Sequence, residues 1–312
     1  MRFGGHETFP LRDGWLHKGL GLLLNDPESF NSSDAADLLG VGNNMAKSIR
    51  HWLLGTGLAE KAQKSSNNCR VSDFGEIVWE QDPYLTMKGT WWALHVNLLN
   101  SPSYALSWNW LFNHSGFRRF EKAVAIEQLK RYLQYHTKQR PPAHKTLDRD
   151  ITVLLASYAQ VIPNEMLDPE ESRDCPFQQL GLMAFFRESG FYRINYAEKA
   201  IPSEIFGFAL SRRYASLGEK SEVEQSIAEI SSKPNTPGKI FCLRPEAVFD
   251  LAVKAESELP EGWLQITGQA GTRYVQARAI EPEHWLLSYY QKQVEYENEW
   301  LQKQQSTMLA PI

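Results

Sequence analysis

Three cysteines in 312 residues, Cys69, Cys175 and Cys242, stand far apart with no CxxC pair, which excludes a zinc ribbon and a disulfide framework. Such usage suits a reducing cytoplasm. No apolar run approaches a membrane span and the N-terminus lacks the hydrophobic region of a signal peptide, so a soluble, cytoplasmic chain with no membrane partner is expected. Bulk positive charge is missing too: 33 Lys and Arg face 37 Asp and Glu, a net charge of −4, which excludes a histone-like binder. Any nucleic-acid contact must be local. The chain also lacks a P-loop, a dinucleotide fingerprint, a GxSxG elbow, a solenoid repeat and a nuclease motif of the two-carboxylate-plus-lysine kind.

What is present begins with residues 33–72. Ser33 and Asp34 can cap a short helix, Ala35 to Leu39, which stops at Gly40-Val41-Gly42, and a second helix opens at Asn43-Asn44, whose side chains can accept from its first-turn amides. On that second helix Met45, Ile49, Trp52 and Leu53 form an apolar stripe at i, i+4, i+7 and i+8. The other side carries Asn43, Lys47, Arg50 and His51, with Asn44 at its edge, side chains suited to phosphates and purine edges. Leu58-Ala59-Glu60 and Cys69 to Ser72 pair around a polar loop, giving a winged helix-turn-helix. Lys47, Arg50, Lys61, Lys64 and Arg70 against Glu60 leave about +4 between residues 43 and 70, a field able to attract a phosphate backbone. Protein docking is the alternative use of such a unit.

The predicted fold is mainly α (α+β). Residues 1–82 form the winged helix-turn-helix domain, 83–216 a central helical domain, 217–240 a linker, and 241–312 a C-terminal helix-hairpin-helix module open to a winged-helix-like reading. Ten tryptophans are assigned mainly to the core, and His95 to a satisfied buried position, with base stacking as the alternative for the tryptophans. Nine basic residues between Phe117 and Asp150 include Arg118 and Arg119, and Lys130 and Arg131 on an amphipathic helix interleaved with Tyr132 and Tyr135, a second candidate for DNA contact.

His6, Glu7 and Arg12 crowd a glycine-led turn and read either as a site or as a polar clasp holding the N-terminus. Thr146 can cap a helix in which Asp148 and Asp150 point about 200° apart, too far round to share one face. Asp174-Cys175 reads as a structural turn over a reactive thiol.

Gly5-His6-Glu7-Thr8-Phe9 with Arg12 and Trp15, Gly89 to His95, Thr146 to Asp150, Cys175-Pro176, Leu180-Gly181-Leu182, and Ala270-Gly271 with Tyr289-Tyr290 together resemble a bacterial family of DNA phosphorothioation islands, the SspB-like nicking component of single-strand phosphorothioation systems. The similarity runs from near residue 3 to near residue 290. The resemblance implies DNA as a partner, together with a cysteine desulfurase, an ATPase and an ATP-pyrophosphatase-like protein, in replacing a non-bridging phosphate oxygen by sulfur. As a nickase the chain would use Mg2+ or Mn2+, with His6, Glu7, Asp148, Asp150 and Asp174 as candidate catalytic residues and unassigned metal ligands. A non-catalytic DNA-binding scaffold is the alternative. A transcriptional regulator is a third reading, and the long C-terminal helix leaves a homodimer open.

Overall fold

The computed structural model describes residues 3–32, 34–62, 68–137, 140–162, 175–217 and 222–308. Ser33, Lys64, Lys138 and Asp174, each named above or within a named segment, lie outside them. The first helix, α1 (Trp15–Asn25), follows a left-handed Gly14. α2 (Ala35–Leu39) ends as its composition predicts: Gly40 turns left-handed at φ 65°, its amide donates to Asp37 O, and the Val41 amide donates to Ala36 O. That paired closure satisfies two terminal carbonyls and turns the chain sharply. α3 (Asn43–Gly55) follows.

The N-cap of α3 is Gly42, with no side-chain cap, so Asn43 and Asn44 lie inside the first turn rather than capping it. β1 (Ala59–Lys61) and β2 (Cys69–Val71) pair antiparallel with Glu60 opposite Arg70. Ser72 then caps α4 (Asp73–Gln81), its Oγ accepting from the Gly75 amide and donating to Gly57 O.

α5 (Lys88–Leu99) is buried on every side from Gly89 to Leu99, and α6 (Pro102–Asn113) kinks at Ala105. Trp91, Trp92, Trp108 and Trp110 are all buried in the core, which removes them as stacking platforms for bases. His95 is fully buried, with Nδ1 on the Tyr158 hydroxyl at 2.7 Å and Nε2 on Ile240 O at 2.9 Å. Because a carbonyl can only accept, the proton sits on Nε2 and Tyr158 donates to Nδ1. Burial pushes the His95 imidazole down to about 4, against the opposing bond to Ile240 O. It is a satisfied core histidine.

The central region, expected to be a helical domain with a strand at Phe191 to Ile194, has that strand and a whole sheet around it. β3 (Arg119–Phe120), α7 (Lys122–His136), α8 (His144–Tyr158), β4 (Ala159–Ile162), β5 (Met183–Phe186) and β6 (Phe191–Ile194) contribute a four-stranded sheet in the order β3-β6-β5-β4, in which β4 and β5 run parallel. α8 starts at His144 behind an uncapped Ala143, so Thr146 does not cap it.

α9 (Ser203–Leu217) leads into the stretch expected to be a linker, which instead carries β7 (Val223–Ser226), α10 (Ile227–Ser232) and α11 (Pro237–Ile240). Val223, Ile230 and Ile240 are buried. Asn235 is tied to α6, its Oδ1 accepting from Asn109 and Asn113 and its amide donating to Asn113 Oδ1. α12 (Pro245–Glu258), β8 (Leu264–Gln269), β9 (Thr272–Ala277) and α13 (Pro282–Met308) complete the chain as helix, hairpin, helix, with β7 added as a third strand beside β9.

The buried apolar side chains form one cluster from Leu11 to Tyr290. Asp82, at the expected domain boundary, is a hub: its carboxylate accepts from Thr86, Met87 and Thr90, and the Thr90 hydroxyl in turn contacts the Tyr290 hydroxyl at 2.8 Å. Beside it the Gly89 amide donates to the Tyr289 hydroxyl. No helix among the described residues is long and apolar enough to cross a membrane.

Candidate nucleic-acid interface

α3 divides into two halves. Ile49 to Gly55 is buried apart from a half-buried Arg50, whereas Asn43, Asn44 and Lys47 are exposed in the first two turns. Uncapped first-turn amides and the positive end of a helix dipole make this end attractive to phosphate. Arg50 hydrogen-bonds the Cys69 side chain on β2; burial raises the Cys69 thiol, and the Arg50 charge and hydrogen bond partly oppose that. Arg50 therefore braces the hairpin against α3.

His51 corrects the helical-wheel reading. It is 3 % exposed and turned inward, with its ring edge-on to His6, Trp52 and Tyr104. The N-terminal segment and α6 cover the side of α3 that the wheel left to solvent, so His51 packs the core and offers no surface for DNA.

On the hairpin Lys61 is exposed, while Arg70 Nη2 reaches Glu60 Oε1 at 2.6 Å across the strands. Half of that cross-strand pair is negative, so Arg70 adds little net field. A cleft of about 980 Å3 opens beside the hairpin, with Lys61, Arg70, Asp73, Asn97 and Tyr104 in its lining. Arg118 and Arg119 are exposed on and beside β3, and α7 carries a half-buried Lys130 and an exposed Arg131. These four belong to other elements than the α2–β2 unit.

Two of the candidate catalytic residues meet. His6 Nε2 lies 2.9 Å from Asp150 Oδ1, which also accepts from the Gly4 amide at 3.0 Å, while the Ser107 hydroxyl donates to Asp150 Oδ2. The Thr8 amide donates to His6 Nδ1 at 3.2 Å, which fixes the ring proton on Nε2 and makes His6 the donor to the carboxylate. Glu7 and Thr8 occupy left-handed conformations at φ 48° and 70°, and the Phe9 amide closes the turn onto His6 O. Turns of this hand favour Asn and Gly, so a branched Thr there is held by its surroundings. His6 and Asp150 are 1 % and 4 % exposed. Burial acts to raise the Asp150 carboxyl, yet the bonds from His6, Ser107 and the Gly4 amide outweigh it and hold the group below its ordinary value.

The other candidates stay apart. Glu7 is half-buried on the strained turn, Asp148 faces outward in an ion pair with Lys122 at 2.8 Å, and Asp174 lies outside the described residues. Asp148 and Asp150 sit on different faces, as their spacing requires. Ser107, which completes the cluster, was not anticipated; its only sequence signal is a lone small hydroxyl in the aromatic run Leu106-Ser107-Trp108-Asn109-Trp110.

Among the described residues no three His, Cys, Asp or Glu side chains gather closely enough to hold a metal ion. Asp150, the buried carboxylate nearest the N-terminal turn, has both oxygens engaged by protein donors. Magnesium prefers an octahedral oxygen shell that keeps several waters, and this pair does not fit it. What the arrangement does is tie the N-terminal segment onto α8 and α6.

No curated protein sequence matches the chain. Among solved structures, two of SspB are similar. A magnesium ion-bound SspB crystal structure shares 26 % identity with a TM-score of 0.80, covering 93 % of this chain and 88 % of that one. A further SspB crystal structure shares 25 % identity with a TM-score of 0.78, covering 93 % and 87 %. The likeness to SspB expected from the separated motifs is thus matched by the fold. With residues 3–290 fitting the family model called DUF4007, protein of unknown function, the chain belongs to that family.

Proposed function

We propose that this protein is a DNA-binding component of a phosphorothioate modification system, engaging duplex DNA through a winged helix-turn-helix made of α1, α2, α3 and the β1–β2 hairpin. The observation that carries this reading is the first two turns of α3, where Asn43, Asn44 and Lys47 stand exposed at an uncapped helix start. Helix-turn-helix proteins place that part of the second helix against base edges. Lys61 on the hairpin adds charge for the flanking backbone. The similarity to SspB supplies the system: its partners would be a cysteine desulfurase, an ATPase and an ATP-pyrophosphatase-like protein.

Nicking of one strand is the second reading, favoured by the magnesium ion in one SspB structure. The His6–Asp150 pair does not serve as the ligand set for such an ion, so this reading assigns the pair a positioning role. Conversion of supercoiled plasmid to open circles by highly purified protein, with and without Mg2+ or Mn2+, separates the two. Metal-dependent open circles support nicking; binding without cleavage, even with the partner proteins present, supports the scaffold.

Lys47→Ala should weaken binding to every sequence alike and reduce the salt dependence of log K by about 0.9, the value of one lost phosphate contact. Asn44→Ala should instead relax sequence preference by about 1–3 kcal/mol at one base pair. Titrations of labelled duplex over a range of salt concentrations read both. Wild-type affinity and slope in Lys47→Ala would take α3 out of the interface.

A further inference from the structure

The antiparallel register of β3 and β6 sets Arg119 directly opposite Arg193. Like charges so placed repel. Arg70 and Arg212 are paired with carboxylates, Glu60 and Glu283, whereas among the described residues neither Arg119 nor Arg193 has an ion-pair partner. Both guanidinium groups lie instead over aromatic rings, Arg119 4.1 Å from the Phe191 centroid and Arg193 4.9 Å from that of Phe186. Stacking holds each planar group by its face and leaves its N–H edge to do the bonding.

The cleft beside them, about 500 Å3, is also lined by Arg118 and Arg244. Four arginines from three separate segments thus line one space that no acidic residue lines. Arg244 is the N-cap of α12, a helix of 14 residues whose first turn has no side-chain cap, and Pro245 at its start lines the cleft as well. The helix dipole adds to the same positive field. A space of this size exceeds what a lone phosphate fills and lies in the range of small-molecule sites.

We propose that this cleft binds the phosphate of a nucleotide, either free or as one unit of a strand. The guanidinium fork matches phosphate oxygens two at a time, and a bound dianion would relieve the repulsion between Arg119 and Arg193 that the protein leaves uncompensated. Tyr196, half-buried in the lining, offers a ring at the edge of the space. The site is independent of the DNA-binding role given to α3, and Lys47→Ala should leave it unchanged.

Pyrophosphate and ATP, titrated into the full chain at fixed ionic strength and followed calorimetrically and by Tm, test this. Both should bind and raise Tm beyond a chloride control, and Arg193→Ala with Arg244→Ala should weaken pyrophosphate binding by about tenfold or more. Should that variant fail to fold, Arg119→Gln with Arg193→Gln is expected to show the same loss. A short single-stranded oligonucleotide that displaces a fluorescent ATP analogue assigns the site to a strand, and one that does not assigns it to the free nucleotide. A pyrophosphate response no greater than that to chloride, or one that a folded variant keeps in full, overturns the proposal.

Discussion

Asp150→Ala should cost the protein about 3–5 kcal/mol of unfolding free energy, since it strips the acceptor from the buried His6 and Ser107 donors and the half-buried Gly4 amide. His6 Nε2–H, the Gly4 amide and the Ser107 hydroxyl all end on this carboxylate, at a position 4 % exposed. Chemical denaturation would show the loss as a lower midpoint with little change in slope. Asp150→Asn keeps one oxygen and the shape, so its loss should be smaller. The pH dependence follows from the same bonds. Because hydrogen bonds hold the folded Asp150 carboxyl below its unfolded value despite burial, its contribution is complete above about pH 4 and is lost as pH falls through the lower, folded value. Asp150→Asn should flatten that acid limb. Wild-type stability in Asp150→Ala would refute the clasp, and loss of plasmid nicking in an Asp150→Asn protein of normal stability would return the pair to chemistry.

The second large effect is expected at Gly75, in the first turn of α4. A Cβ there would lie 2.1 Å from the Leu58 carbonyl oxygen and 2.9 Å from Val71 Cγ1. The nearer obstacle is backbone, so no side-chain rotation relieves it. Gly75→Ala should cost about 3 kcal/mol or more, the upper end for overpacked sites. The strain falls on the junction of α4 with both hairpin strands, since Leu58 O also accepts from the Ser72 amide. Duplex DNA binding should therefore weaken in this variant even at temperatures where it stays folded. A Tm within a degree or so of wild type would mean that the helix and hairpin separate more easily than their packing implies.

Local signals made the first 80 residues readable. Met45, Ile49, Trp52 and Leu53 repeat at helical spacing and α3 is there; Gly40 stops α2 because only a left-handed residue permits its closure. The C-terminal hairpin, marked by Ala270-Gly271, was equally plain, as both residues take positive φ. The strand pairings between distant segments were not. β3 meets β6 across the chain, and β7 reads Val-Glu-Gln-Ser, a polar string that becomes a strand only because β9 offers it an edge. His51 shows the limit of a helical wheel, which knows one helix and not the segment lying over it. His6 and Asp150 were each singled out on chemical grounds, yet their contact over 144 residues is a product of packing, and Ser107 had no pattern to announce it.

The bonds of Tyr289 and Tyr290 to Gly89 and Thr90 each span 200 residues. On a ribosome adding about 5–20 residues per second, α5 would wait roughly 10–40 s for its last covering helix to be made. Throughout that interval Trp91, Trp92 and their neighbours have no finished core to enter. A chain cut short before α13 should therefore leave the start of α5 uncovered and unfold at a lower temperature than the full chain.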